Sequence, residues 1–191
     1  MTFTLPLFGT DNKLGVDLTT AGYDQPYTAT ASNPNNPEYP AAPFSVGTRI
    51  AGSQGVTALY AQTATASAIT QGDFCYITTA MLAAGLTSTI AATAGQAAIL
   101  GVAMATLTTG QFGWLQTRGN CPAGVNVVNG VAANTVLHTS GTAGRLTGTA
   151  VTGTSYPINN IMTVTTSGGT SGAYAAVIGG SMIINTATTL G

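Results

Sequence analysis

From Val46 onward, short apolar and β-branched blocks alternate with turn residues, and this texture persists to the end of the chain. Blocks of this length, bounded by Gly, Ser, Asn and Gln, predict strands rather than helices. The clearest unit runs from Ala97 to Gly119. Its apolar first arm, Ile99–Met104, is followed by the turn Thr108-Thr109-Gly110-Gln111 and by a second arm, Phe112–Arg118, that holds the lone Trp114. A short Gly-containing connection between two such runs predicts a hairpin. Near the C-terminus, Ala175-Ala176-Val177-Ile178-Gly179-Gly180-Ser181-Met182 echoes Ala97-Ala98-Ile99-Leu100-Gly101-Val102-Ala103-Met104. The echo predicts two related strands in one sheet, with Gly101 and Gly179 at bends or close backbone approaches.

Other elements follow in order. Ser45–Ile50 and Val56–Gln62 flank Gly52-Ser53-Gln54-Gly55 as a second hairpin, and Gln71-Gly72-Asp73 turns into a strand over Phe74–Thr78. The Ala-rich stretch Thr79–Ala98 favours helix by propensity, but Gly85, Thr87, Ser88 and Thr89 interrupt it, which predicts a loop or at most a short helix. Pro122-Ala123-Gly124 is a turn leading into Val125–Val128, and Asn129-Gly130 is a type I′ signal that predicts a β pair around it. Strands over 135–139, 145–150, 158–165 and 173–185 complete the series. The fold class is all-β, a β-barrel or β-sandwich body over 46–191. Residues 1–45 form an extended, Pro-rich N-terminal arm.

The arm holds Pro6, Pro26, Pro34, Pro37, Pro40 and Pro43 and four of the five acidic residues. These prolines disfavour helix and central strand. It also carries Phe3, Leu5, Leu7, Phe8, Tyr23, Tyr27, Tyr39 and Phe44, which a polar linker would not need. Either these side chains fold back on their own domain, or they order on a neighbouring subunit by coupled folding.

Charge narrows the function. Only 5% of residues are charged, with a net charge of -1; ordinary domains carry roughly a quarter. A near-neutral surface of hydroxyls, amides and small apolar groups is one that associates. Four scattered basic residues, Lys13, Arg49, Arg118 and Arg145, make no phosphate-binding stripe, so no nucleic-acid partner is expected. No apolar run is long enough for a bilayer-spanning helix, so no membrane partner is expected either. The start, MTFTLPLFGTDNK, does not read as a secretory signal, which points to assembly in the cytoplasm.

Catalytic chemistry finds little support. Cys75 and Cys121 lack metal-ligand or redox spacing and read as buried reduced thiols. His138, the only histidine, sits in a strand-like setting as a structural residue, and the five acids form no closely spaced pair. No nucleotide-binding, zinc-protease or serine-hydrolase motif occurs. No catalytic residue, metal or cofactor is therefore assigned. Trp114 reads as an anchor in the core or in a subunit contact, and Arg118 as a guanidinium emerging at a strand end. Candidate interface residues are Phe3, Leu5, Phe8, Tyr23, Tyr27, Tyr39, Trp114 and Arg118.

The run AAILGVAMATLTTGQFGWLQTRGNCPAGV, with the later AAVIGGSMIIN, resembles the small capsid decoration, or cement, proteins of tailed bacteriophages. The matching positions are Gly101-Val102-Ala103, Gly113-Trp114-Leu115-Gln116-Thr117-Arg118-Gly119 and Ile178-Gly179. The resemblance covers about residues 70 to 185; the long arm departs from the shortest members of the family. It implies a non-enzymatic virion protein, commonly a homotrimer, on the outer surface of an icosahedral capsid, where it bridges major capsid protein subunits and stabilises the shell. A receptor-binding or fibre-type β module recognising a host surface glycan is the alternative, with Trp114 and the tyrosines as its candidate aromatic groove. A polysaccharide hydrolase with carboxylates shared between subunits is a third reading, for which Asp73 or Glu38 are the test positions.

Overall fold

The computed structural model describes residues 27–28, 44–52, 55–64, 68–94, 99–128, 130–149, 155–164 and 171–184. Strands dominate around a closed β-barrel core. In chain order they are β1 (Tyr27–Thr28), β2 (Arg49–Ala51), β3 (Thr57–Thr63), β4 (Phe74–Ile77), β5 (Leu82–Gly85), β6 (Ile99–Ala103), β7 (Gln111–Val127), β8 (Val136–Thr139), β9 (Leu146–Thr147), β10 (Pro157–Thr163) and β11 (Gly172–Ile184). One short helix, α1 (Ser88–Ala94), lies between β5 and β6.

The pairings close two rings, and both pass through β7. In the first, β7 pairs β6, β6 pairs β4, β4 pairs β5, β5 pairs β3, and β3 returns to β7. In the second, β7 pairs β11, then β10, β8 and β9, which returns to β7. A ring of five strands cannot be antiparallel throughout, because alternating directions fail to match at closure. Each ring resolves this with one parallel contact. In the first it is β3 with β5, at Gln62↔Leu82 and Thr63↔Ala83; in the second it is β7 with β9, at Val127↔Leu146. Closure leaves the ring strands with no free edge.

Side-chain size suits the first ring. Its interior holds Leu59, Ala61, Cys75, Ile77, Ala83, Ala103 and Leu115. One end is filled by Ile69 and Leu107, whose backbones exchange hydrogen bonds of 2.9 and 2.8 Å. Five strands enclose little space, so Ala is favoured inside. The outer faces are covered as well. Ala58, Tyr60 and Trp114 pack with Ile50, Val56 and Met104, while Phe74, Leu100 and Val102 join the core of the second ring. Strands buried on both faces read as nearly continuous apolar runs.

These facts revise several expectations. The stretch Thr79–Ala98 contains a strand, β5, as well as the short helix, because Ala83 is needed inside the barrel. Pro122-Ala123-Gly124 is a bulge within β7 rather than a turn, since the register with β11 shifts between Val125 and Cys121. Asn129 lies outside the described residues; of the segments on either side, β7 ends at Val127 and β8 pairs with β9 and β10. The echo segments do share one sheet, each antiparallel to β7, one in either ring. Gly101 is a close approach, as a Cβ there would lie 3.0 Å from Leu115 Cβ. Gly179 is not, having nothing within 4 Å; it sits where β11 slips against β10 between Ile178 and Ile183.

β7 changes rings at Gly119. Arg118 still pairs with Thr57 of β3, whereas Gly119 pairs with Ile178 of β11. The backbone at Gly119 has φ 94°, and a Cβ there would stand 2.6 Å from Val56 Cα. The buried Gln116 braces this bend, its Nε2 donating to the carbonyls of Arg118 (3.0 Å) and Asn120 (2.8 Å). We predict that Gly119→Ala lowers stability by at least about 2 kcal/mol through left-handed strain plus backbone overlap. Gly110→Ala, at φ 75° but with nothing within 4 Å, should cost only about 1 kcal/mol. Urea unfolding of both variants checks the ranking; equal losses would refute the crossing role of Gly119.

Candidate functional surface

Among the aromatic candidates, Trp114 turns inward. Trp114 is 2% exposed. Its ring meets Phe44 at 5.1 Å in an edge-on arrangement and Tyr60 at 4.9 Å, and Phe44 meets Tyr60 at 5.4 Å. Phe112 stacks on Tyr60 at 6.1 Å. These rings form a core on the outer side of β3 and β7, and Trp114 therefore falls on the core side of its two expected roles. Its Nε1 has no hydrogen-bond partner and is itself buried, so it is not an outward handle.

Phe3, Leu5, Phe8, Tyr23 and Tyr39 lie outside the described residues. Tyr27 belongs to β1, which pairs antiparallel with β7 at Tyr27↔Phe112 and Thr28↔Gln111. Phe44 packs against its own chain, as above. Arg118 is exposed but is not at a strand end, because β7 continues to Val127. It marks instead the point where the strand passes between rings. The exposed Arg118 and the buried Trp114 thus do not form one open site.

Among the described residues, Asp73 is the sole acidic side chain, and it is 8% exposed. Its Oδ2 accepts from the Thr70 N–H at 2.8 Å and its Oδ1 from Asn126 Nδ2 at 2.8 Å. Asn126 Nδ2 also donates to the Gln71 carbonyl at 3.0 Å. The turn before β4 is thereby tied to the second half of β7. Gly144, at φ 73°, completes the fit, since a Cβ there would stand 2.6 Å from Asp73 Cγ. Burial raises the Asp73 carboxyl above its usual 3.8, opposed by the Asn126 and Thr70 hydrogen bonds and by the nearby Arg145.

The two thiols are free and buried. Burial pushes Cys75 well up, aided by the Asp73 charge, and pushes Cys121 up to about 12. Both are neutral thiols with little nucleophilic character. His138 lies half-buried on β8 between Thr147 and Pro157, and its Nδ1 is buried without a partner. Among the described residues no three His, Cys, Asp or Glu side chains are grouped to hold a metal ion.

Apart from Val46, which precedes β2, the exposed large apolar side chains among the described residues gather on the second ring. Val136, Met162 and Val177 are 52%, 46% and 36% exposed. They are direct cross-strand partners on β8, β10 and β11, Met162 pairing with both of the others. Ile183 on β11 and Val164, the residue after β10, are also exposed, Val164 N donating to the Ala175 carbonyl at 2.9 Å. These residues were absent from the sequence-based candidates. A usable signal exists in the doublets Val136-Leu137, Ile161-Met162, Val177-Ile178 and Ile183-Ile184. Adjacent strand residues face opposite sides, so on a strand with one face open a doublet that buries one member exposes the other. Leu137, Ile161, Ile178 and Ile184 are the buried members.

No family model, curated protein or solved structure matches this chain.

The Asp73 environment has a pH signature. A folded carboxyl raised above its unfolded value adds stability that is fully present below 3.8 and is lost as pH rises through the folded value. The urea midpoint of Asp73→Asn should therefore lack a decline that the wild type shows as pH is raised from 3.8. Identical slopes in the two proteins would contradict this assignment.

Proposed function

We propose that this chain is a structural virion protein that binds the outer surface of an icosahedral tailed-phage capsid, bridges major capsid protein subunits and stabilises the shell. The observation that carries this reading is the exterior of the body. Among the described residues the sole acid is buried and the charges left outside are arginines, and the strands of the two rings are paired on both sides, which confines open edges to the short β1 and β2. Recognition then falls to broad contacts between uncharged side chains. Such contacts are individually weak, and they add by multivalency when many copies sit on one lattice.

The residues that carry the family resemblance also lie side by side. Val102 of β6 pairs with Gln116 of β7, and Ile178 of β11 pairs with Gly119 of the same strand. This supports a shared local architecture around β7. The glycan-binding reading draws less support, because Trp114 presents no open ring face on which a sugar would stack. A homotrimer that docks at threefold positions is the assembly the resemblance suggests for this role.

The test compares shells with and without the protein. Decorated shells should survive heating by several degrees more than bare shells and should lose fewer subunits on dilution, as followed by light scattering and electron microscopy. Indistinguishable melting of the two particles would refute the stabilising role.

A further inference from the structure

We propose that the outer face of β8, β10 and β11 is the docking surface of this chain, and that its occupant is a flat, uncharged apolar patch on a capsid subunit. The assignment rests on the decoration reading above and adds to it the contact itself. Its centre is the row Val136, Met162 and Val177, in register across three neighbouring strands and extended by Val164 and Ile183. Four apolar doublets place Val136, Met162, Val177 and Ile183 outward while their neighbours fill the core. Single exposed hydrophobic residues are ordinary; a cross-strand row of them marks an interaction surface.

The chemistry of the occupant follows from two features. First, β8, β10 and β11 contain no Asp, Glu, Lys or Arg, and His138 is the one titratable base on them. A charged partner surface would have to desolvate against this face with nothing to compensate it. Second, each of the three strands already has a neighbour on both sides: β8 lies between β9 and β10, β10 between β8 and β11, and β11 between β10 and β7. Their ladder groups are engaged, so the partner packs on side chains and does not add a strand.

Area separates a shell from a second copy of this chain. Three strands over some six residues present roughly 300 Å². A free-standing complex buries about 800 Å² per partner. The row alone is too small to hold two free copies together, but it suffices as one of many contacts in an array.

The experiment is co-sedimentation with shells assembled from the major capsid protein alone. Wild-type protein and Met162→Leu should bind. Met162→Asp, Val136→Asp and Val177→Asp should each bind on the order of tenfold more weakly. All three positions are exposed, so circular dichroism and melting curves should match the wild type and show that the loss is one of docking. Wild-type binding that all three aspartate variants retain would overturn this face while leaving the decoration reading in place. Shells that fail to bind the wild type would remove both. A stable oligomer in solution that Met162→Asp disperses would give the face to a second copy and overturn the proposed occupant.

Discussion

The passage of β7 from one ring to the other at Gly119 is the constraint on which the remaining architecture depends. One strand can line two closed rings only if it changes direction without losing its hydrogen bonds to either. The left-handed backbone at Gly119, held against Val56, supplies the change of direction. Gln116 supplies the hydrogen bonds, reaching along the strand to the carbonyls on both sides of the bend. Without that brace, two carbonyls beside a buried segment would need other partners, and unmet backbone groups are costly.

Once the crossing is set, the angle between the rings has to be filled. Asp73 and Asn126 do this on the polar side, joining the turn before β4 to the far half of β7. Phe74, Leu100 and Val102 do it on the apolar side, where the outer wall of the first ring merges with the core of the second. The carboxyl is the more exacting part. A buried acid is tolerated because two donors reach it and Arg145 lies near, yet its desolvation still outweighs these.

Much of the strand order was legible in the sequence, since turn residues separate β3, β4, β6, β8, β10 and β11 cleanly. What was not legible came from closure. Leu82-Ala83-Ala84-Gly85 has the composition of a helix, and only the narrow interior of a five-stranded ring makes Ala83 a strand residue. Pro122-Ala123-Gly124 has the composition of a turn, and only the length of β11 alongside converts it to a bulge. The strands on either side of Asn129-Gly130 take distant partners for the same reason: β7 beyond the bend pairs β11, and β8 pairs β10 and β9. Ring membership is a non-local property, and local turn chemistry does not encode it.

The candidate surface was hidden differently. Attention to rare residues led to Trp114 and Arg118, but a lone Trp among small residues is the side chain best able to fill a core, and here it does so beside Tyr60 and Phe44. The outward residues are common Val, Ile and Met, which composition does not distinguish from core. They become visible only through strand parity, because adjacent apolar residues in one strand face opposite sides and on β8, β10 and β11 only one of those sides is core. That rule has a consequence for a chain so poor in charge. With few ionic groups to give solubility or direct association, exposing the second member of a doublet changes how the surface associates more than it would in an ordinary protein. Four such doublets on three adjacent strands therefore concentrate the capacity for association on one face of the second ring, away from the buried aromatic cluster at the first.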